Sequence, residues 1–201
     1  SSFPFVSDTL RLQAFWYMEI KDYEHAAASY LEAITFNELN GVEEFLAYDL
    51  FNLGRCYMEM TNWVDALETL KRARALLKKL KKVDKVAICD HSICEVYVAL
   101  GNGHEAYDYG NRAYNVSDLS YNNEYMCKSS LAIGKACNLK GDFEEALNWL
   151  SVAEEKVSNS NDWPTLVAVH KEIALTYRNL DRFEDAVRLE KRIRTIEDIL
   201  E

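Results

Sequence analysis

His91 and Cys94 stand three residues apart with Cys89 just ahead of them, so in a helix the imidazole and one thiol would share a face. This is the nearest approach to a metal cluster in the chain. A zinc site, however, needs more ligands converging at close spacing, and the sequence supplies none there. The adjacent carboxylates Glu144-Glu145 and Glu154-Glu155 would do acid–base work only inside a pocket, and they read more simply as solvated helix faces. Asn115-Val116-Ser117 fits a glycosylation acceptor, which is idle without an export signal. There is no phosphate loop, no nucleophile elbow, no His-Glu-x-x-His and no dinucleotide-binding turn; Gly101-Asn102-Gly103 simply joins two apolar segments. The expectation is therefore no catalytic residue, no metal, no cofactor and no enzyme.

Composition narrows the class further. Of 201 residues 49% are hydrophobic, enough buried surface to offset the entropy of ordering the chain. Seven Gly and two Pro are too few for the many turns of a sandwich or barrel, which points to an all-helical fold. A net charge of -10 argues against nucleic acid and anionic membrane as partners. No apolar run approaches the roughly 18–20 residues that span a bilayer. Five Cys, an odd number without close pairing, and an opening Ser1–Phe5 with no basic-then-apolar segment predict reduced thiols in the cytoplasm.

The strongest pattern is a repeat. A turn residue, a bulky residue, two mostly polar residues and Ala recur in Asp22-Tyr23-Glu24-His25-Ala26, Asn62-Trp63-Val64-Asp65-Ala66, Asn102-Gly103-His104-Glu105-Ala106, Asp142-Phe143-Glu144-Glu145-Ala146 and Arg182-Phe183-Glu184-Asp185-Ala186. The five alanines are forty residues apart each time. Helix-period apolar residues flank every segment. Ahead of it one column is always small (Ala14, Gly54, Cys94, Gly134, Ala174), and three residues later comes Tyr, with Cys137 the exception. Behind it runs a second stripe such as Ala66, Leu70, Ala73 and Ala146, Leu150, Ala153. Small residues at one place in both helices let two backbones close up as an antiparallel hairpin, which must stack on its neighbours to bury its face.

Leu53-Gly54-x-x-Tyr57 followed by Trp63-x-x-Ala66 and Ala73 resembles the tetratricopeptide repeat, as do Ile133-Gly134, Phe143-x-x-Ala146 and Ala153. The resemblance covers essentially residues 7 to 201. It implies an all-α, right-handed superhelical solenoid of about five helical hairpins forming one domain, 1–201, with repeats near 7–46, 47–86, 87–126, 127–166 and 167–201. The 40-residue period, longer than the common unit, implies longer second helices or longer connections. Asp90 and Ser130 depart from the pattern where a bulky first-helix residue is usual, and Gly110 where an aromatic is usual.

In such a fold the first helices line an inner groove, whose expected wall includes Arg11, Phe15, Tyr48, Phe51, Asn52, Arg55, His91, Lys128, Lys135, Asn138, Lys171 and Arg178. The full expected face, with Asp8, Leu12, Met18 and their equivalents, holds six cations and five anions, unlike the acidic exterior. Its first repeats are soft and aromatic, its last two carry Lys128, Lys135, Lys171 and Arg178. The implied activity is non-enzymatic: a scaffold or adaptor holding a peptide or partner segment with apolar anchors and acidic residues. Asn52 is the leading contact, since a carboxamide both donates to and accepts from a peptide backbone. Phe51-Asn52-Leu53-Gly54-Arg55-Cys56 also resembles bacterial intracellular receptors of the Rap and PlcR kind, which implies as an alternative a regulator gated by a short signalling peptide. The basic run from Lys71 to Lys82 reads as an exposed second helix with cations at its C-terminal end, or else as a patch for an acidic partner.

Overall fold

The computed structural model describes residues 3–119, 122–158 and 160–200, with side chains from Val6 onward. All regular structure among them is helical. The helices are α1 (Phe3–Glu19), α2 (Tyr23–Asn40), α3 (Glu43–Glu59), α4 (Trp63–Lys79), α5 (Val83–Ala99), α6 (Gly103–Leu119), α7 (Asn123–Lys140), α8 (Phe143–Ser158), α9 (Trp163–Asn179) and α10 (Phe183–Leu200). Contacts divide the chain into two compact units, residues 1–96 and 97–201.

The forty-residue period is two twenty-residue half-periods. Lys21, Gly41, Thr61, Lys81, Gly101, Gly141 and Asp181 all have left-handed backbone, with φ between 57° and 81°. At each, the next amide reaches back to the helix it has just left: Asp22 N–H to Tyr17 O, Asn62 to Tyr57, Lys82 to Leu77, Asp142 to Cys137, at 2.8–3.0 Å. This six-to-one bond satisfies orphan carbonyls and stops the helix sharply. The following residue starts the next one. Asp22, Asn122 and Asp162 accept from the backbone N–H three residues on. The extra length of the repeat is thus shared by both helices, each 16–18 residues long, and none of it lies in the connections.

The spaced alanines are where packing is tightest. Ala26, Ala66, Ala106, Ala146 and Ala186 are all fully buried, as are Ala33, Ala73 and Ala153. In the first unit the core gathers Ala14, Tyr30, Leu50, Leu53, Cys56 and Leu77. In the second it gathers Leu150, Val157, Leu166, Val169, Ile173, Ile193 and Ile196, with a smaller cluster of Ile133, Cys137 and Ala146. The small column does what its spacing predicts. A Cβ on Gly54 would lie 2.7 Å from Leu70 Cγ, and one on Gly134 2.6 Å from Leu150 Cγ. Glycine here is a requirement of approach, since 3.4–4 Å is ordinary contact.

The departures from the repeat pattern find partners. Asp90, buried, takes a forked hydrogen bond from Arg74 of α4. Eighty residues later the same two positions hold Glu154 and His170, with Glu154 Oε1 2.8 Å from His170 Nε2. The junctions α4–α5 and α8–α9 are thus each closed by a polar pair, with the carboxylate on the second helix of the pair in one and on the first in the other. Ser130 fits without such a pair; its buried hydroxyl has no hydrogen-bond partner among the described residues.

Candidate functional site

The first unit holds a groove. Asp8, Arg11, Leu12 and Phe15 of α1, Asn52 of α3 and Tyr30 of α2 enclose a groove of about 450 Å³. It forms because the 3.6-residue period sets Asp8, Arg11, Leu12 and Phe15 on one face of α1. Phe15 is 59% and Leu12 70% exposed, large apolar surface offered to a ligand. Asn52 is half-buried, and among the described residues its carboxamide makes no hydrogen bond. One turn on, Arg55 is exposed and makes no ion pair with a described residue. Arg11 is more engaged: it pairs with Asp8, lies 3.9 Å through Nε from Asp49 Oδ1, and sits 4.0 Å over the Phe45 ring.

Tyr30 and Asp49 are the contributors that sequence reasoning missed. Tyr30 falls in the second-helix stripe and is 4% exposed, so spacing assigns it to the core, yet it also lines the groove. Burial pushes its hydroxyl up to about 12. Asp49 is a carboxylate between Ala47 and Leu50 in a buried stripe, a signal present in the sequence but unused.

Other expected residues are placed differently. Phe51 and Tyr48 are half-buried and pack on the core of the first unit, and Tyr48 also donates to Glu44 Oε1. His91 is a correction: it is buried at 9% exposure, with Nε2 3.6 Å from Glu95, because its face of α5 is packed rather than open. In the second unit most expected cations are already occupied. Lys128 pairs with Glu124 of its own helix, whose hydrogen bond pushes the ammonium pKa up. Lys171 and Arg178 reach across to α10, at Glu197 and Glu190, the latter by a two-pronged contact of 2.9 and 3.0 Å. Asn138 donates to Glu172 and Thr176 of α9. Lys135 alone of that set is half-buried with no ion pair to a described residue.

The basic run is likewise partnered within the first unit. Arg72 pairs with Glu38, Lys79 with Glu43 and Lys82 with Glu44. These contacts cross-link α4 and the start of α5 to the α2–α3 corner. None of the five cysteines is in a disulfide, and all are buried. Burial pushes Cys56, Cys89 and Cys137 up to about 12 and Cys127 to about 11, so these thiols are inert. Among the described residues no helix is long and apolar enough to cross a membrane. A second concavity, unforeseen, lies in the second unit between α8 and α10; Leu147, Ser151, Tyr177, Leu189 and Arg192 line about 500 Å³.

Against known proteins, the family model of the tetratricopeptide repeat matches residues 50–83. The fold is a tetratricopeptide-repeat fold. None of the curated proteins matches the chain in sequence. Among solved structures, the kinesin light chain TPR-like repeats of Podosopora anserina superpose with a TM-score of 0.77 at 17% identity, covering 96% of each chain. BtubC (BKLC) from P. vanneervenii gives 0.80 at 16% identity, over 96% of this chain and 80% of that one. The apo form of RapI gives 0.77 at 15% identity, with 94% of this chain on 53% of that one. At these identities the likeness is one of fold, a TPR-like helical-repeat array.

Proposed function

We propose that this chain is a non-enzymatic interaction module of the cytoplasm that holds a peptide or an extended segment of a protein partner, with the α1–α3 groove of the first unit as its anchor point. The observation that carries this reading is the unspent Asn52 carboxamide beside exposed Leu12 and Phe15. Two apolar side chains supply area, and the carboxamide can fix a peptide backbone whatever its sequence. Arg11 and Arg55 favour a segment in which acidic residues accompany the apolar anchors. Lys135, on a different unit, is another cation of the expected set with no ion pair to a described residue. The inert thiols favour binding over catalysis.

Selection of peptides from a random display library on the wild-type protein tests the proposal. Peptides so obtained should lose about 1–3 kcal/mol of binding to Asn52→Ala or Phe15→Ala protein. Selected peptides indifferent to both substitutions would refute it. The likeness to RapI favours a second reading, in which a bound peptide gates a regulatory change. Small-angle scattering separates the two: a regulator changes its profile on peptide addition, a passive scaffold does not.

A further inference from the structure

Beneath the groove lies a carboxyl that the binding reading leaves unused. Asp49 is fully buried on α3. Its Oδ2 accepts a hydrogen bond of 2.7 Å from Asn37 Nδ2, and the same amide nitrogen donates at 3.0 Å to Ser7 Oγ. Its Oδ1 has no hydrogen-bond partner among the described residues but faces Arg11 Nε at 3.9 Å. The charged and titratable groups acting on it are Arg11 and, farther out, Asp8, both on α1, and it in turn acts on Tyr30 of α2, which also feels Cys56 and Arg55 of α3.

The Asn37 link is reversible. With Asp49 ionised, Asp49 and Ser7 both accept from Nδ2. With Asp49 neutral, turning the carboxamide over sets Oδ1 between them, and the two hydroxyl groups both donate. The turn exchanges the two hydrogen bonds that Asn37 Nδ2 donates for two that Oδ1 accepts, and it moves the amide nitrogen to the place where Oδ1 is now buried without a partner among the described residues. The link to Asp49 and Ser7 thus survives in either protonation state, and Arg11 feels the difference because it spans the buried carboxyl and the groove wall.

Resting on the groove reading above, we propose that Asp49 is a proton-controlled counterion for the groove: a proton from solvent on its Oδ2, donated onward to the turned Asn37 carboxamide, removes its charge from Arg11, which keeps only the exposed Asp8 as counterion and pairs with a carboxylate of the bound segment, so acidic segments bind more tightly below neutral pH. Burial pushes Asp49 up to about 6, the Arg11 charge and the Asn37 donor pull it back, and Asp8 adds to the upward push. The partner's own carboxylates titrate near 4 and stay charged throughout that range.

The test uses nuclear magnetic resonance on the intact chain, with N-acetylphenylalanine as a probe that joins a carboxylate to an aromatic ring. Without probe, the Asp49 carboxyl should titrate near 6, and the Arg11 Nε–H resonance should follow with the same midpoint. The probe should bind about five-fold more tightly at about pH 5.5 than at about pH 7.5, and Asp49→Asn protein should keep the tighter value at both. An Arg11 resonance that ignores the Asp49 titration, or a pH dependence that survives in Asp49→Asn, overturns the proposal. Probe bound at Leu12, Phe15 and Asn52 equally at both pH values overturns the switch alone. A probe that perturbs none of those residues at either pH overturns the groove reading and the switch with it.

Discussion

Gly134 offers the sharpest test of how the hairpins close. A Cβ there would stand 2.6 Å from both Cγ and Cδ2 of Leu150 and 3.5 Å from the Ala146 carbonyl oxygen. Leu150 is fully buried and cannot swing into solvent, so Gly134→Ala must displace it or part α7 from α8. Overpacking of this kind costs about 1–3 kcal/mol. Alanine in a helix interior returns about 1 kcal/mol relative to glycine. The net expectation is a loss of up to about 2 kcal/mol in urea unfolding followed by circular dichroism. In a Leu150→Ala background, itself costing about 2–5 kcal/mol, the clash is gone and only the propensity gain remains, so the same substitution becomes stabilising by up to about 1 kcal/mol. The coupling should therefore reach about 2 kcal/mol. Gly141, with φ of 81° and nothing within 4 Å of an added Cβ, is the control: Gly141→Ala should cost about 1 kcal/mol whatever stands at position 150. Equal effects of Gly134→Ala in the two backgrounds would refute the packing argument.

Three other outcomes follow from the same geometry. Asp49 is raised from 3.8 to about 6, so the folded chain holds a proton that the unfolded chain has released; stability falls as pH rises from about 4 to about 6 and is level above. Asp49→Asn should remove that slope and gain about 1–3 kcal/mol at pH 8, read by thermal unfolding across pH; a slope that persists would contradict the burial of this charge. Arg74→Met removes the forked guanidinium partner of the buried Asp90 carboxylate and should cost about 3–5 kcal/mol, much of it recovered in Arg74→Met/Asp90→Leu; denaturant midpoints decide, and a double variant as weak as the single one would count against the pair. Thr61, β-branched at φ of 57°, should gain about 1 kcal/mol or slightly more on replacement by Gly, and unchanged unfolding would mean the turn carries no strain.

The fold was legible because it is written in residue size. Alanines forty apart and the Gly54 and Gly134 column specify backbone approach, and the structure buries them where the spacing requires. The site was legible only where one face of one helix sufficed, as for Asp8, Arg11, Leu12 and Phe15. It failed where a side chain's fate depends on a neighbouring element. Spacing on α9 cannot tell that Lys171 and Arg178 meet glutamates on α10, and on α5 it cannot tell that His91 is covered. Nor does a stripe that reads as core show that Tyr30 surfaces at a groove floor. Asp90 was legible as an oddity, but its partner Arg74 sits in a charge run that reads as exposed.

The measurement closest to the central claim is a chemical-shift map of the chain on addition of a display-selected peptide. Shifts clustered on Arg11, Leu12, Phe15 and Asn52 are the predicted result. Shifts clustered instead on the second-unit concavity at Leu147, Ser151 and Arg192, with the α1–α3 groove silent, would contradict it.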